Sequence, residues 1–169
     1  HQNGFFLMID VGEVGMAGRG GHGHNDLLAF ELCIDGIPIV VDSGCSGYTA
    51  DLTKKTFFRS AAAHSTIQLF NNEMARFAGH WAIHNDAVPY NLNVQRTDVG
   101  ATIQATHQGY RHLKQDAKIQ RRLEIDAISQ ILVIQDQIDT KSAKTDIHWH
   151  FPIGKLSSTK NSNQQVTII

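Results

Sequence analysis

Asp35-Gly36, set between Leu28-Ala29-Phe30-Glu31-Leu32-Cys33-Ile34 and Ile37-Pro38-Ile39-Val40-Val41, constrains this chain more than any other feature. The flanking runs are rich in β-branched and aromatic residues, and glycine tolerates the positive φ that a two-residue primed turn demands. The segment therefore predicts a tight antiparallel hairpin. Pro38 has no N–H to give a ladder, which places its strand at an edge or its residue at a strand start. Similar runs recur at 65–70, 81–84, 101–107, 118–125, 131–138 and 146–151. In the last of these Ile147, Trp149 and Phe151 share one face, with His148 and His150 on the other. No stretch carries sustained 3.6-residue apolar periodicity with caps, and 51–63 is left as a short helix or an irregular loop. Many short strands separated by polar turns predict an all-β fold, an antiparallel β-sandwich.

At 169 residues, 41 % of them apolar and 18 % charged, the chain suits a single domain over 1–169 with a core of its own. Fifteen Lys and Arg face sixteen Asp and Glu, so the net charge of −1 supplies no field to draw in nucleic acid or an anionic membrane. Any polyanion must be held by local groups. No apolar run is long enough to span a bilayer. Cys33 falls in an apolar strand-like run and Cys45 in a glycine-rich turn, and both are expected to be free thiols. The start at His1, without an initiator Met, and the strand-like finish Val166-Thr167-Ile168-Ile169 read as the ends of a piece of a longer protein.

The chemistry concentrates in Gly18-Arg19-Gly20-Gly21-His22-Gly23-His24-Asn25-Asp26. Gly18, Gly20 and Gly23 match a dinucleotide fingerprint in spacing, but that motif needs a helix to follow and a hairpin follows here. What remains is closely approached backbone leading into His22 and His24, which project to one side if extended. Two imidazoles on one face begin a metal site, since zinc accepts histidine nitrogen and takes three or four ligands. Asp42 closes the second hairpin strand, which returns towards His24, and His64 opens the next strand-like run. His24, Asp42 and His64 would make an acceptable zinc triad, with Asp26 as the competing carboxylate. Spacing alone leaves a hydrogen-bonded polar cluster without metal equally open. His80, His84, His107, His112, His148 and His150 sit where a surface or core-edge histidine is the default. Ser43, Ser60 and Ser65 lack the strand-turn-helix setting of a hydrolase nucleophile.

The order of Gly21-His22-Gly23-His24-Asn25-Asp26, Asp35-Gly36, Val40-Val41-Asp42-Ser43-Gly44, Tyr48, Arg59-Ser60 and Ala63-His64-Ser65-Thr66 resembles the heparinase II/III-like family over residues 18 to 75. His107-Gln108-Gly109-Tyr110 and Arg121-Arg122-Leu123-Glu124 resemble it more loosely, and Ser65 stands where the family usually has asparagine. The resemblance implies the C-terminal sandwich of a two-domain polysaccharide lyase, separated from an N-terminal (α/α) toroid. Such enzymes cleave uronate-containing chains, heparan sulfate-like or alginate-like, by β-elimination. It further implies a structural zinc on His24, Asp42 and His64, a catalytic role for His22 facing the sugar, and a substrate contact at Tyr48. The partners implied are an acidic polysaccharide and the toroid, in a periplasmic or secreted bacterial enzyme. The 169 residues alone would be inactive. Two other functions stay open: a non-catalytic carbohydrate-binding or exopolysaccharide-assembly module, and an independent β-sandwich metalloenzyme.

Overall fold

The computed structural model describes residues 4–18, 20–47, 49–113, 116–141, 146–147, 158–160 and 166–168. In chain order the strands are β1 (Phe5–Ile9), β2 (Phe30–Ile34), β3 (Ile37–Val40), β4 (Ile67–Gln68), β5 (Pro89–Arg96), β6 (Gly100–His107), β7 (Lys118–Asp126), β8 (Ile131–Asp139), β9 (Asp146–Ile147), β10 (Ser158–Lys160) and β11 (Val166–Ile168). Among the described residues, helix is confined to α1 (Gly15–Gly18), α2 (Leu52–Phe58) and 3-10 turns at Ala61–Ala63 and Gly109–His112. Two sheets carry the architecture, a three-stranded one in the order β1-β2-β3 and a four-stranded meander β5-β6-β7-β8. Among the described residues two short pairs, β4 with β9 and β10 with β11, complete the strand pairings, all of them antiparallel.

The sheets face each other as alternation requires. Phe5, Phe30, Leu32 and Val40 from the first pack with Leu123 and with the partly buried Ile125, Leu132 and Ile134 from the second. Phe6 and Met8, of opposite parity in β1, are exposed. The chain is thus an antiparallel β-sandwich, as its sequence predicts. A second core joins Leu27, Leu28, Leu69, Met74, Ile83 and Tyr110 of the connections to Ile67 of β4 and Ile119 of β7.

The predicted hairpin forms, with Asp35 at φ 49° and Gly36 at φ 82°, the two positive values a type I′ turn requires. β3 is an edge strand and its Pro38 lies opposite Cys33, beside a register shift. Residues 51–63 resolve into α2, capped by Asp51, whose Oδ1 accepts the Lys54 N–H at 2.9 Å, followed by the 3-10 turn. Trp81 to His84 is not a strand: only an isolated bridge joins Phe77 and Ile83, because that segment wraps over the glycine-rich loop. β5 went unread because Pro89, Asn91 and Asn93 break its alternation, and Asn91, at φ 54°, sits in a register shift. Residues 148–151, expected to extend the last strand, lie outside the described residues.

Candidate functional site

Arg59 organises the loop that bears the histidines. It is buried at the end of α2, where Nε donates to the Gly23 carbonyl at 2.9 Å, Nη1 to His80 at 2.8 Å and Nη2 to Gly20 at 3.2 Å. Its own carbonyl accepts the Asn25 N–H at 2.8 Å. Asn25 in turn accepts the Ala75 N–H on Oδ1 at 2.7 Å, tying the His-Gly-His-Asn segment to the second core. The glycines serve packing rather than phosphate binding: a Cβ on Gly20 would stand 2.7 Å from Gly15 Cα, so no side chain fits there.

The segment carrying His64 is stitched to the start of β2. Thr66 Oγ1 donates to the Leu27 carbonyl at 2.6 Å, while Ser65 Oγ donates to the Phe30 carbonyl at 2.6 Å and accepts the Phe30 N–H at 2.8 Å. Ser65 thus earns its place by backbone pairing. Behind the segment Arg121, on the inward face of β7, donates from Nη1 to the carbonyls of Leu28 at 2.8 Å and Ser65 at 2.5 Å. Its Nε and Nη2 engage both oxygens of Asp136, directly across on β8, at 2.7 and 2.8 Å.

These anchors converge His24, Asp26, Asp42 and His64. His24, Asp26 and His64 each present a ligand atom, all within 4.8 Å of one another. The rings of His24 and His64 are 5.1 Å apart, and His64 Nδ1 lies 2.6 Å from Asp42 Oδ2. His64 Nε2 donates to the Phe58 carbonyl at 3.0 Å, since that oxygen can only accept. Asp42 therefore reaches the group through His64, and Asp26 joins it directly. Asp10, just past β1, is in side-chain contact with Asp26, and its Oδ1 accepts the Gly12 N–H at 2.7 Å.

The electrostatics are those of a cation-holding cluster. Burial, aided by the neighbouring His64 charge, lowers the His24 pKa to about 4, so its ring is neutral with a lone pair to give. Burial opposes a charge on His64, but the Asp42 hydrogen bond and the Asp26 carboxylate outweigh it and raise its pKa. Asp42 is correspondingly lowered, its burial outweighed by the His64 bond. Burial and Asp26 push Asp10 up to about 6, and burial raises Asp26. A metal ion fits this donor set. The Phe58 carbonyl takes the Nε2 proton of His64, so Nδ1, which faces the Asp42 carboxylate, is the nitrogen that would turn to a metal.

Two clefts flank the cluster. One, of about 250 Å³, is lined by Gly21, His22, His24, Gly44, Cys45, Gly47, Lys55 and Arg59. The other, of about 340 Å³, holds Asp10, Asp26, Glu31 and Asp42 among its walls. His22 is exposed and shares the first cleft with His24 although the chain turns between Gly20 and Gly23 instead of running extended. Tyr48 lies outside the described residues. Cys33 and Cys45 are unpaired. Sequence reasoning missed Asp10 and Lys55. Asp10 carried a weak signal as a carboxylate ending an apolar run; Lys55 carried none, because a lysine in a seven-residue helix reads as solvated.

The sequence profile described as heparinase II/III-like, C-terminal, matches residues 1–168. No curated protein matches the chain. Two solved structures titled as a heparinase III gene product, one with methylated lysines, are similar in fold. The methylated one superposes with a TM-score of 0.68 at 20 % identity, and the other with 0.66 at 19 %. Each comparison covers 91 % of this chain and 22 % of the solved chain, so the sequence spans about a fifth of those proteins.

Proposed function

Since the chain belongs to the heparinase II/III-like C-terminal family, we infer that it is the sandwich domain of a polysaccharide lyase acting on a uronate-containing chain, its partner an N-terminal (α/α) toroid of the same protein. The observation that carries this reading is the first cleft, where exposed His22 stands beside His24 on a buried imidazole and carboxylate cluster.

β-Elimination removes the proton at C5 of the uronate, breaks the C4–O bond and leaves a C4=C5 double bond. The C5 proton becomes acidic only when the adjacent carboxylate is neutralised and the developing enolate charge is stabilised. A base must take that proton, and an acid must protonate the departing oxygen. In this reading His22 meets the uronate carboxylate or shares in the proton transfer, and Tyr48, which lies outside the described residues, keeps the sugar contact that the family resemblance implies. The toroid supplies the remaining acid and base groups, so the 169 residues alone are inactive.

His24 and His64 would hold a zinc ion together with a carboxylate, either Asp42, as the resemblance implies, or Asp26, whose oxygen lies within 4.8 Å of a ligand atom on each imidazole. Such an ion would supply a structural cross-link between the segments that bear these residues. Arg59 and Asn25 keep the His22 loop in position from the protein side.

The test is made in the full-length protein with heparan sulfate-like and alginate-like polymers, following the ultraviolet absorbance of the unsaturated product. His22→Ala should lose most turnover, on the order of a hundredfold or more for a lost acid-base group, while metal content stays at the wild-type level. His24→Ala and Asp42→Ala should lose the metal, read by mass spectrometry. Retained oligosaccharide binding with no unsaturated product from any uronate polymer would sink the lyase reading.

A further inference from the structure

The two clefts flanking the cluster differ in sign. Among the described residues, the 340 Å³ cleft is walled by four carboxylates, Asp10, Asp26, Glu31 and Asp42, whereas the 250 Å³ cleft has none and carries Lys55, Arg59, His22 and His24. Lys55 and Arg59 are four residues apart, so they lie on one side of α2, and they are only 3 % and 2 % exposed. Two buried cations side by side repel each other and are costly to desolvate, and such an arrangement is favourable where an anion arrives between or before them. Arg59 cannot turn to meet a ligand, because its guanidinium is committed to the carbonyls of Gly20, Gly23 and His80. It is a fixed charge beneath the cleft floor. Lys55 is differently held: its ammonium lies 3.1 Å from the centroid of the Trp81 ring, and that ring is half exposed. A lysine ammonium on a four-carbon stem is a compact point charge that can exchange a contact with an aromatic face for one with an anion.

We propose that Lys55, backed by the fixed charge of Arg59, forms the anion-holding wall of the His22 cleft and receives an anionic group of an acidic saccharide. The proposal rests on the lyase reading and deepens it, since it names the side chain of this domain that meets the substrate's charge. With a net charge of −1 the chain has no general attraction for polyanions, so this local pair supplies the attraction. The carboxylate-walled cleft on the far side of the cluster repels the same ligand, which gives the saccharide one face to enter. Lys55 acts as a positioning residue, presenting the uronate to His22.

The experiment measures binding of a uronate oligosaccharide, a sulfated one and a neutral one to the full-length protein, as wild type, Lys55→Gln and Lys55→Arg, by calorimetry over a range of salt. Lys55→Gln should weaken the acidic ligands about tenfold, the value of one charge-assisted contact, and flatten the salt dependence. Lys55→Arg should recover most of the affinity, and neutral oligosaccharide should bind all three alike. A preference between the uronate and sulfated ligands that vanishes in Lys55→Gln would say which anion the wall takes. Cooperative thermal unfolding checks that each variant folds; should Lys55→Gln fail, Lys55→Met in its place reads the same charge. If the full-length protein releases unsaturated product and yet Lys55→Gln binds acidic ligands with wild-type affinity and salt slope, this wall is wrong and the lyase reading stands. If wild type neither binds an acidic saccharide nor forms product, both fall.

Discussion

His107 shows how far a single residue can depart from its sequence appearance. It reads as a strand-end histidine of no consequence, yet it is fully buried at the end of β6, its Nδ1 accepting the Gly109 N–H at 3.1 Å. Burial, helped by the nearby Arg121 charge, lowers its pKa from 6.5 to about 3. Between those values the unfolded chain binds a proton that the folded chain refuses, so stability falls as pH falls through the window. This one ring should cost on the order of 2–3 kcal/mol between pH 7 and pH 4.5. His107→Gln, which keeps an acceptor for Gly109, should remove that part of the slope in urea unfolding measured across the range. A slope unchanged by the substitution would mean that the ring titrates normally. His24 and Asp10 differ from His107 in sitting against the cluster, so the difference between wild type and variant isolates the buried ring.

At the scale of elements, β7 does more than complete a sheet. Its inward positions run Ile119, Arg121, Leu123 and Ile125, so an arginine occupies a place that alternation assigns to the core. Paired face to face with Asp136 and bonded to the carbonyls of Leu28 and Ser65, it joins the four-stranded sheet to both segments that build the site. Arg121→Met leaves Asp136 buried without its partner and should cost about 3–5 kcal/mol in urea unfolding. A loss below about 1 kcal/mol, the scale of a surface pair, would show that the pair does not anchor the site. The pattern Arg121-Arg122-Leu123-Glu124 marks a strand in the sequence, and parity alone puts Arg121 or Arg122 inside. The parity of Ile119, Leu123 and Ile125 selects Arg121, and what it holds depended on the register with β8.

For the whole molecule, the segments bearing His24, Asp42 and His64 are far apart in sequence and meet only in the fold, so an ion shared among them cross-links the glycine loop, the end of the hairpin and the start of β4. Bound metal at about a hundred times its Kd contributes about 2.7 kcal/mol to stability. Chelation should therefore lower the midpoint of thermal unfolding by roughly 5–10 °C in a domain of this size. His24→Ala should unfold at the lower temperature with or without chelator. A wild-type midpoint indifferent to chelator would argue for a hydrogen-bonded cluster that needs no ion.

The sequence by itself determined the class of fold and singled out His24, Asp42 and His64 as candidates for the site. Period-2 patterns, the Asp35-Gly36 turn and the edge-seeking Pro38 are local rules of backbone sterics and hydrogen bonding, and they hold wherever the segment is placed. The hairpin also foretold that Asp42 returns towards His24, because antiparallel pairing is geometric. Three things were decided only by the tertiary structure. Asp26 and Asp10 join the cluster through the path of the chain after β1, held by the Leu28 N–H to the Asp10 carbonyl at 2.8 Å. β5 forms against β6 in spite of its broken pattern, since a neighbouring strand can supply the pairing that its own residues do not advertise. Lys55 and Arg59 are cations that composition assigns to solvent, and they are buried because helix α2 packs its basic side against the glycine loop. Charge is local in a sequence and collective in a fold, so a neutral chain can still present one basic cleft and one acidic cleft on either side of the same cluster.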